Sequence, residues 1–247
     1  MRPLPAALDA ALAALSRRRP LLVASDYDGV LSQLVGDPSA AVPEPGVAEA
    51  LARLGAAEGV TVALVSGRGV TDLRTTSGLT GPYRWVGSHG AEFDGPLAAD
   101  LAHRRDALAA RLAPLVEATP GARLEVKPAS VAVHVRQVTD PAAATVLLDR
   151  VEQLVDSSLT RKPGKAVLEL AVTDADKGSA LRRLRDELGA AGALYLGDDV
   201  TDEDGFRALG PGDVPVKVGE GRTAARYRVA DLAGALAVLV RLSDLLV

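Results

Sequence analysis

Short apolar runs in this chain break off, one after another, at clusters of polar residues or glycine. Leu21–Ser25 stops at Asp26-Tyr27-Asp28, Val60–Val65 at Ser66-Gly67-Arg68, and Ala193–Leu196 at Gly197-Asp198-Asp199. Arg84–Gly87 and Val214–Val218 are two further runs of strand length. Strands that are apolar throughout, without alternation, need cover on both faces. Helical spacing at about 45–57, 69–77, 177–190 and 231–243 supplies that cover. The pattern predicts an α/β chain with a Rossmann-like parallel-sheet core. In such sheets ligands bind beyond the carboxyl ends of the strands, which is where the polar clusters fall.

The stretch 97–173 has another rhythm. A helical pattern at about 99–118 precedes two alternating segments, Arg123–Lys127 and Val131–Arg136. A second helical pattern at about 140–155 and a third alternating segment, Ala166–Val172, follow. Alternation marks half-buried antiparallel strands, so this stretch reads as an inserted α+β cap. The expected division is 1–96 with 174–247 as the core, and 97–173 as the inserted cap.

Composition narrows the chemistry. The 247 residues carry a net charge of −4, and the longest basic run noted, Arg17-Arg18-Arg19, is too short to track a nucleic-acid backbone. Cysteine is absent, which excludes disulfides and thiolate metal sites. No stretch approaches a membrane span or the apolar run of a signal peptide. The expectation is a soluble, cytoplasmic, monomeric protein with neither nucleic acid nor membrane as a partner.

Four clusters carry the candidate chemistry. Asp26 and Asp28 stand two residues apart just after a buried strand, where two carboxylates are costly unless a hard cation neutralises them. A carboxylate there can attack phosphorus, and its neighbour can act as general acid and then base. Ser66 and the backbone N–H groups beside it can hold phosphate oxygens, although a serine in that place often only caps a helix. Arg68, in the same turn, is assigned to substrate binding. Lys177 opens a helix, where the macrodipole disfavours a cation unless phosphate charge draws it in; a surface lysine is the plainer alternative. Asp198, Asp199, Asp202, Glu203 and Asp204 crowd five acidic residues into seven positions. A helix N-terminus explains the last three but not the first two.

Taken in order, these residues resemble the motifs of the haloacid dehalogenase-like phosphatases. That resemblance implies an aspartyl-phosphate mechanism with one magnesium ion. Asp26, Asp198 and the backbone carbonyl of Asp28 would be its ligands, Ser66 and Lys177 would hold the phosphate, and Asp199 and Asp202 would support the site. Finer detail is similar to the trehalose-6-phosphate phosphatase family: Asp26-Tyr27-Asp28-Gly29, Val65-Ser66-Gly67-Arg68, Gly87-Ser88-His89-Gly90-Ala91-Glu92 and the run Gly197–Asp204. The cap segments Glu125-Val126-Lys127 with His134-Val135-Arg136, and Gly164-Lys165 with Glu169, extend the likeness. It implies that Glu125, Lys127 and Glu169 bond sugar hydroxyls, and that the substrate is trehalose 6-phosphate. Val30 and Val135 depart from the family, which usually has Thr and an aromatic there. The alternatives are another sugar-phosphate phosphatase, acting on sucrose phosphate or mannosylphosphoglycerate, or a catalytically silent sugar-phosphate-binding regulator.

Overall fold

A strand buried along its whole length must be central to its sheet, and Leu21–Ser25 (β1) is such a strand. The computed structural model describes residues 3–246. Its core begins with the helix Ala6–Leu15 (α1), then β1, the helix Val47–Ala56 (α2), the strand Val60–Val65 (β2), the helix Val70–Ser77 (α3) and the strands Arg84–Gly87 (β3) and Glu92–Phe93 (β4). Residues Ala99–Glu117 (α4), Arg123–Lys127 (β5), Ser130–His134 (β6), Pro141–Gln153 (α5), Thr160–Gly164 (β7) and Val167–Ala171 (β8) form the insert. The core resumes with Lys177–Leu188 (α6), Gly192–Gly197 (β9), Asp202–Ala208 (α7), Val214–Val218 (β10), Tyr227–Val229 (β11) and Leu232–Leu245 (α8).

The core sheet runs β11-β10-β9-β1-β2-β3-β4, parallel except for the β3–β4 hairpin. Its side chains alternate between two apolar layers. Leu21 and Val23 pack with Leu8, Leu12 and Leu15 of α1 and with apolar residues of α2, α3 and α8. Leu22 and Ala24 face the other way, onto Ala180, Leu181 and Leu184 of α6 and Phe206 of α7. Both faces of β1 are therefore dry, which accounts for a run with no polar alternation. β1 lies between β9 and β2, so the segments after these three strands emerge side by side.

Two compact units divide the chain: one runs to Gly95 and resumes at Ala175, and the other is Pro96–Asp174. The second unit is a four-stranded antiparallel sheet, β5-β6-β8-β7. One of its faces carries Val131, Val133, Leu168 and Leu170, all buried, and α4 packs on β5, β6 and α5. Period-two alternation puts Glu125, Lys127, Ser130, His134 and Glu169 together on the opposite, polar face. Among the described residues no helix is long and apolar enough to cross a membrane.

Candidate active site

The segments after β1, β2 and β9, together with the start of α6, line a cavity of about 620 Å³. Asp26, Asp28, Ser66, Arg68, Lys177, Asp198 and Asp199 all reach it. Asp26 is buried, and its backbone N–H donates to the Leu196 carbonyl, which ties the end of β1 to β9. Its Oδ1 accepts from the Tyr27 N–H at 2.6 Å and its Oδ2 from Lys177 Nζ at 2.7 Å. Burial pushes the Asp26 carboxyl above its ordinary range, against the pull of the Lys177 ammonium.

Lys177 is the first residue of α6, and it points inward. The helix is capped by the Asp176 side chain, which accepts from the Ser179 N–H, while Ser179 Oγ meets the Asp176 backbone N–H in return. Gly178 lets α7 approach: a Cβ there would lie 2.5 Å from the Asp204 carbonyl oxygen. Lys177 is only 1% exposed and bridges Asp26 and Asp202, the latter at 2.8 Å. Burial works against its charge, but the two carboxylates outweigh it and raise the ammonium to about 12.

Asp202 organises the acidic loop. It is fully buried, and its Oδ1 accepts from Lys177 and from Tyr195 Oη. Its Oδ2 accepts from the backbone N–H groups of Asp198 and Asp199, each at 2.9 Å. Four donors from a helix, a strand and a loop thus converge on one carboxylate. Asp198 is held with its carboxylate against Gly29, whose φ of +77° and missing Cβ make room: a Cβ there would stand 2.0 Å from Asp198 Oδ2. Burial, with the negative charge of Asp202 next, pushes Asp198 up to about 6. Asp199 is exposed and accepts from the Val200 N–H at 2.6 Å.

Carboxylate oxygens of Asp26, Asp198 and Asp202 all lie within 4.8 Å of one another. A hard cation with oxygen ligands suits that set, because burial and mutual repulsion both disfavour the charged forms. Asp202 has its oxygens committed to four donors, so Asp26 and Asp198 are the carboxylates with capacity to spare.

The β2 end is built differently from a capped helix. Ser66 is buried, and its hydroxyl accepts from the Arg68 N–H at 3.1 Å; the N-cap of α3 is Gly69, with no side-chain bond. The plainer alternative, Ser66 as a helix cap, is therefore replaced. The surface-lysine alternative for Lys177 is likewise overturned by its burial. The Arg68 guanidinium meets the Asp28 carboxylate, Asp72 and the Pro38 carbonyl.

Residues outside the predicted set also reach the site. His89 lines the cavity, and a Cβ on Gly67 would lie 2.6 Å from its ring. Ser88 and His89 both have positive φ, 49° and 58°, conformations that cost energy in non-glycine residues. Lys217 of β10 is buried and donates to the Asp198 carbonyl. The sequence signal for His89 was its place just past a strand end; Lys217 sits inside an apolar run with nothing beside it to mark it. Glu125, Lys127 and Glu169 lie in the second unit, where Glu125 meets His134 at 2.7 Å and Glu169 accepts from Lys127 at 2.6 Å and Ser130 at 2.7 Å.

A parallel sheet with helices on both faces and carboxylates clustered at its carboxyl edge has the core fold of the haloacid dehalogenase-like phosphatases. The family model described as trehalose-phosphatase matches residues 24–232. The chain belongs to the trehalose-phosphatase family. It is 36% identical over 241 residues to a trehalose-phosphate phosphatase of Mycobacterium marinum, covering 86% of this chain and 60% of that protein. The Mycobacterium tuberculosis trehalose-phosphate phosphatase is also 36% identical, over 248 residues, with 87% and 61% covered. The chain thus spans about 60% of the length of these relatives. Among solved structures, trehalose-6-phosphate phosphatase of Aspergillus fumigatus aligns with a TM-score of 0.78 at 27% identity, covering 96% of this chain and 97% of that one.

Proposed function

We propose that the protein hydrolyses trehalose 6-phosphate to trehalose and phosphate, with Asp26 as nucleophile. The observation that carries this reading is the buried Asp26–Lys177–Asp202 array at the edge of a cavity that also holds Asp28, Ser66 and Asp198. Family membership and the named relatives supply the substrate.

In this mechanism a carboxylate oxygen of Asp26 attacks phosphorus and forms the acyl-phosphate bond. The bond from phosphorus to the sugar oxygen breaks, and Asp28 gives that oxygen its proton. Asp28 then takes a proton from water, whose oxygen attacks the same phosphorus and frees phosphate and the Asp26 carboxylate. Lys177 bonds Asp26, and Ser66 lines the same cavity, where phosphate oxygens would accumulate charge. Asp26, Asp198 and the Asp28 main-chain carbonyl would hold magnesium, which when bound offsets the negative charge of carboxylates and phosphate. Phosphate release from trehalose 6-phosphate, with and without magnesium after chelation, tests the reading. Activity should vanish in excess chelator and return with magnesium; full activity in chelator would overturn the metal assignment.

Residues 96–174 are proposed to select the sugar. Glu125, Lys127 and Glu169 share a polar sheet face with His134 and Ser130, a surface suited to hydroxyl recognition. Glu169→Ala should lower kcat/KM for trehalose 6-phosphate by about 10–1,000-fold, the loss of one or two charge-assisted bonds. Hydrolysis of p-nitrophenyl phosphate should change little. Parallel loss on both substrates would assign Glu169 to the fold instead.

A further inference from the structure

Arg68 sits on the rim of an open cavity, yet its side chain is only 10% exposed. Nε donates to Asp28 Oδ2 at 2.7 Å and Nη2 to Asp28 Oδ1 at 2.8 Å, a two-bond fork in which each carboxylate oxygen takes one N–H. Nη2 also reaches the Pro38 carbonyl at 2.8 Å, and Nη1 reaches Asp72 Oδ2 at 3.0 Å. The guanidinium carbon lies 5.9 Å from the centre of the Tyr27 ring. An arginine set aside for a phosphate would turn its fork to open space; here the fork is filled by the protein itself. The two Asp28 bonds both come from Arg68 and fix the plane of a carboxylate whose side chain is 29% exposed. Each oxygen still keeps lone-pair capacity for a proton shared with a sugar oxygen or with water.

We infer that Arg68 is a positioning residue for the general acid–base: its fork, anchored by Asp72 and the Pro38 carbonyl, orients Asp28 for proton transfer. The inference rests on the proposed function, in which Asp28 protonates the leaving sugar oxygen. A carboxylate at the end of a two-torsion side chain wanders once its partner is gone, and a misplacement of about 1 Å can cost on the order of 100-fold in rate. Lysine cannot replace the fork, since a single ammonium presents no planar pair of donors.

The test uses single-turnover rates of the first phosphoryl transfer on two substrates. Trehalose 6-phosphate leaves as an alkoxide that needs a proton, and p-nitrophenyl phosphate leaves as a phenolate that does not. Arg68→Met should slow the sugar phosphate by roughly 30–300-fold and the single-turnover release of p-nitrophenolate by roughly 3-fold or less. Arg68→Lys should remain slow, and Arg68→Met added to Asp28→Asn should cost little beyond Asp28→Asn alone. Inhibition by inorganic phosphate should hold within about 3-fold. If Arg68 is instead a phosphate ligand, both substrates slow equally and phosphate inhibition weakens; that result, or additive losses with Asp28→Asn, overturns the inference. Should the methionine variant fail to fold, the lysine variant carries the same comparison. Wild-type protein that does not turn over the sugar phosphate would strike the proposed function, and the inference with it; that failure shows before any Arg68 variant is compared and so is distinguishable from the outcomes above.

Discussion

Asp26→Asn should lower kcat by about 10⁴–10⁶-fold while the protein stays folded. The amide has the shape of the carboxylate but no attacking charge. The fold survives because the change removes a buried negative group, and Lys177 keeps its bond to Asp202. Thermal unfolding should therefore change little in the variant that has lost nearly all turnover. Measuring kcat and Tm on one preparation decides the matter. Retention of more than about one percent of activity would mean that another group attacks phosphorus.

Lys177→Met should strike stability and activity together. Its ammonium is the cation shared by two carboxylates that are themselves buried, at 2.7 and 2.8 Å. Removing one member of a buried ionic array leaves charge without a partner, at a cost of about 3–5 kcal/mol. For a chain of this size each kcal/mol lowers Tm by roughly 2–4 °C, so a fall of about 6–20 °C is expected. Adding Asp26→Asn to Lys177→Met should restore part of that loss, because one of the stranded carboxylates is then neutral. Strictly additive losses would show that the array is not a unit.

The parallel core was legible because its central strands are dry on both faces and appear as unbroken apolar runs. The edges were not. Thr160–Gly164 holds Arg161, Lys162 and Pro163, and it is exposed; an edge strand needs only one partner and tolerates such residues. Tyr227–Val229 and Glu92–Phe93 are too short to leave a pattern. The first helix left a signal, Leu8, Leu12 and Leu15 at helical spacing, but the prolines before it obscured it.

In the site, sequence shows which residues end a strand but not which ends become neighbours. The order β9-β1-β2 brings Asp28 beside Arg68, 40 positions away. Nothing local to either residue records that pairing. The four donors on Asp202 are equally silent in sequence, since they come from Lys177, Tyr195 and two backbone N–H groups.

The contact between Gly29 and Asp198 bears on how inactive relatives are recognised. A side chain at position 29 would occupy the space of the Asp198 carboxylate, with its Cβ 2.0 Å from Oδ2. Such a chain could keep every acidic residue and the lysine and still lose the place where the Asp198 carboxylate stands. An inventory of charged residues would pass it as competent. The diagnostic letter for a silent copy is therefore one that does no chemistry: whatever stands where this chain has glycine.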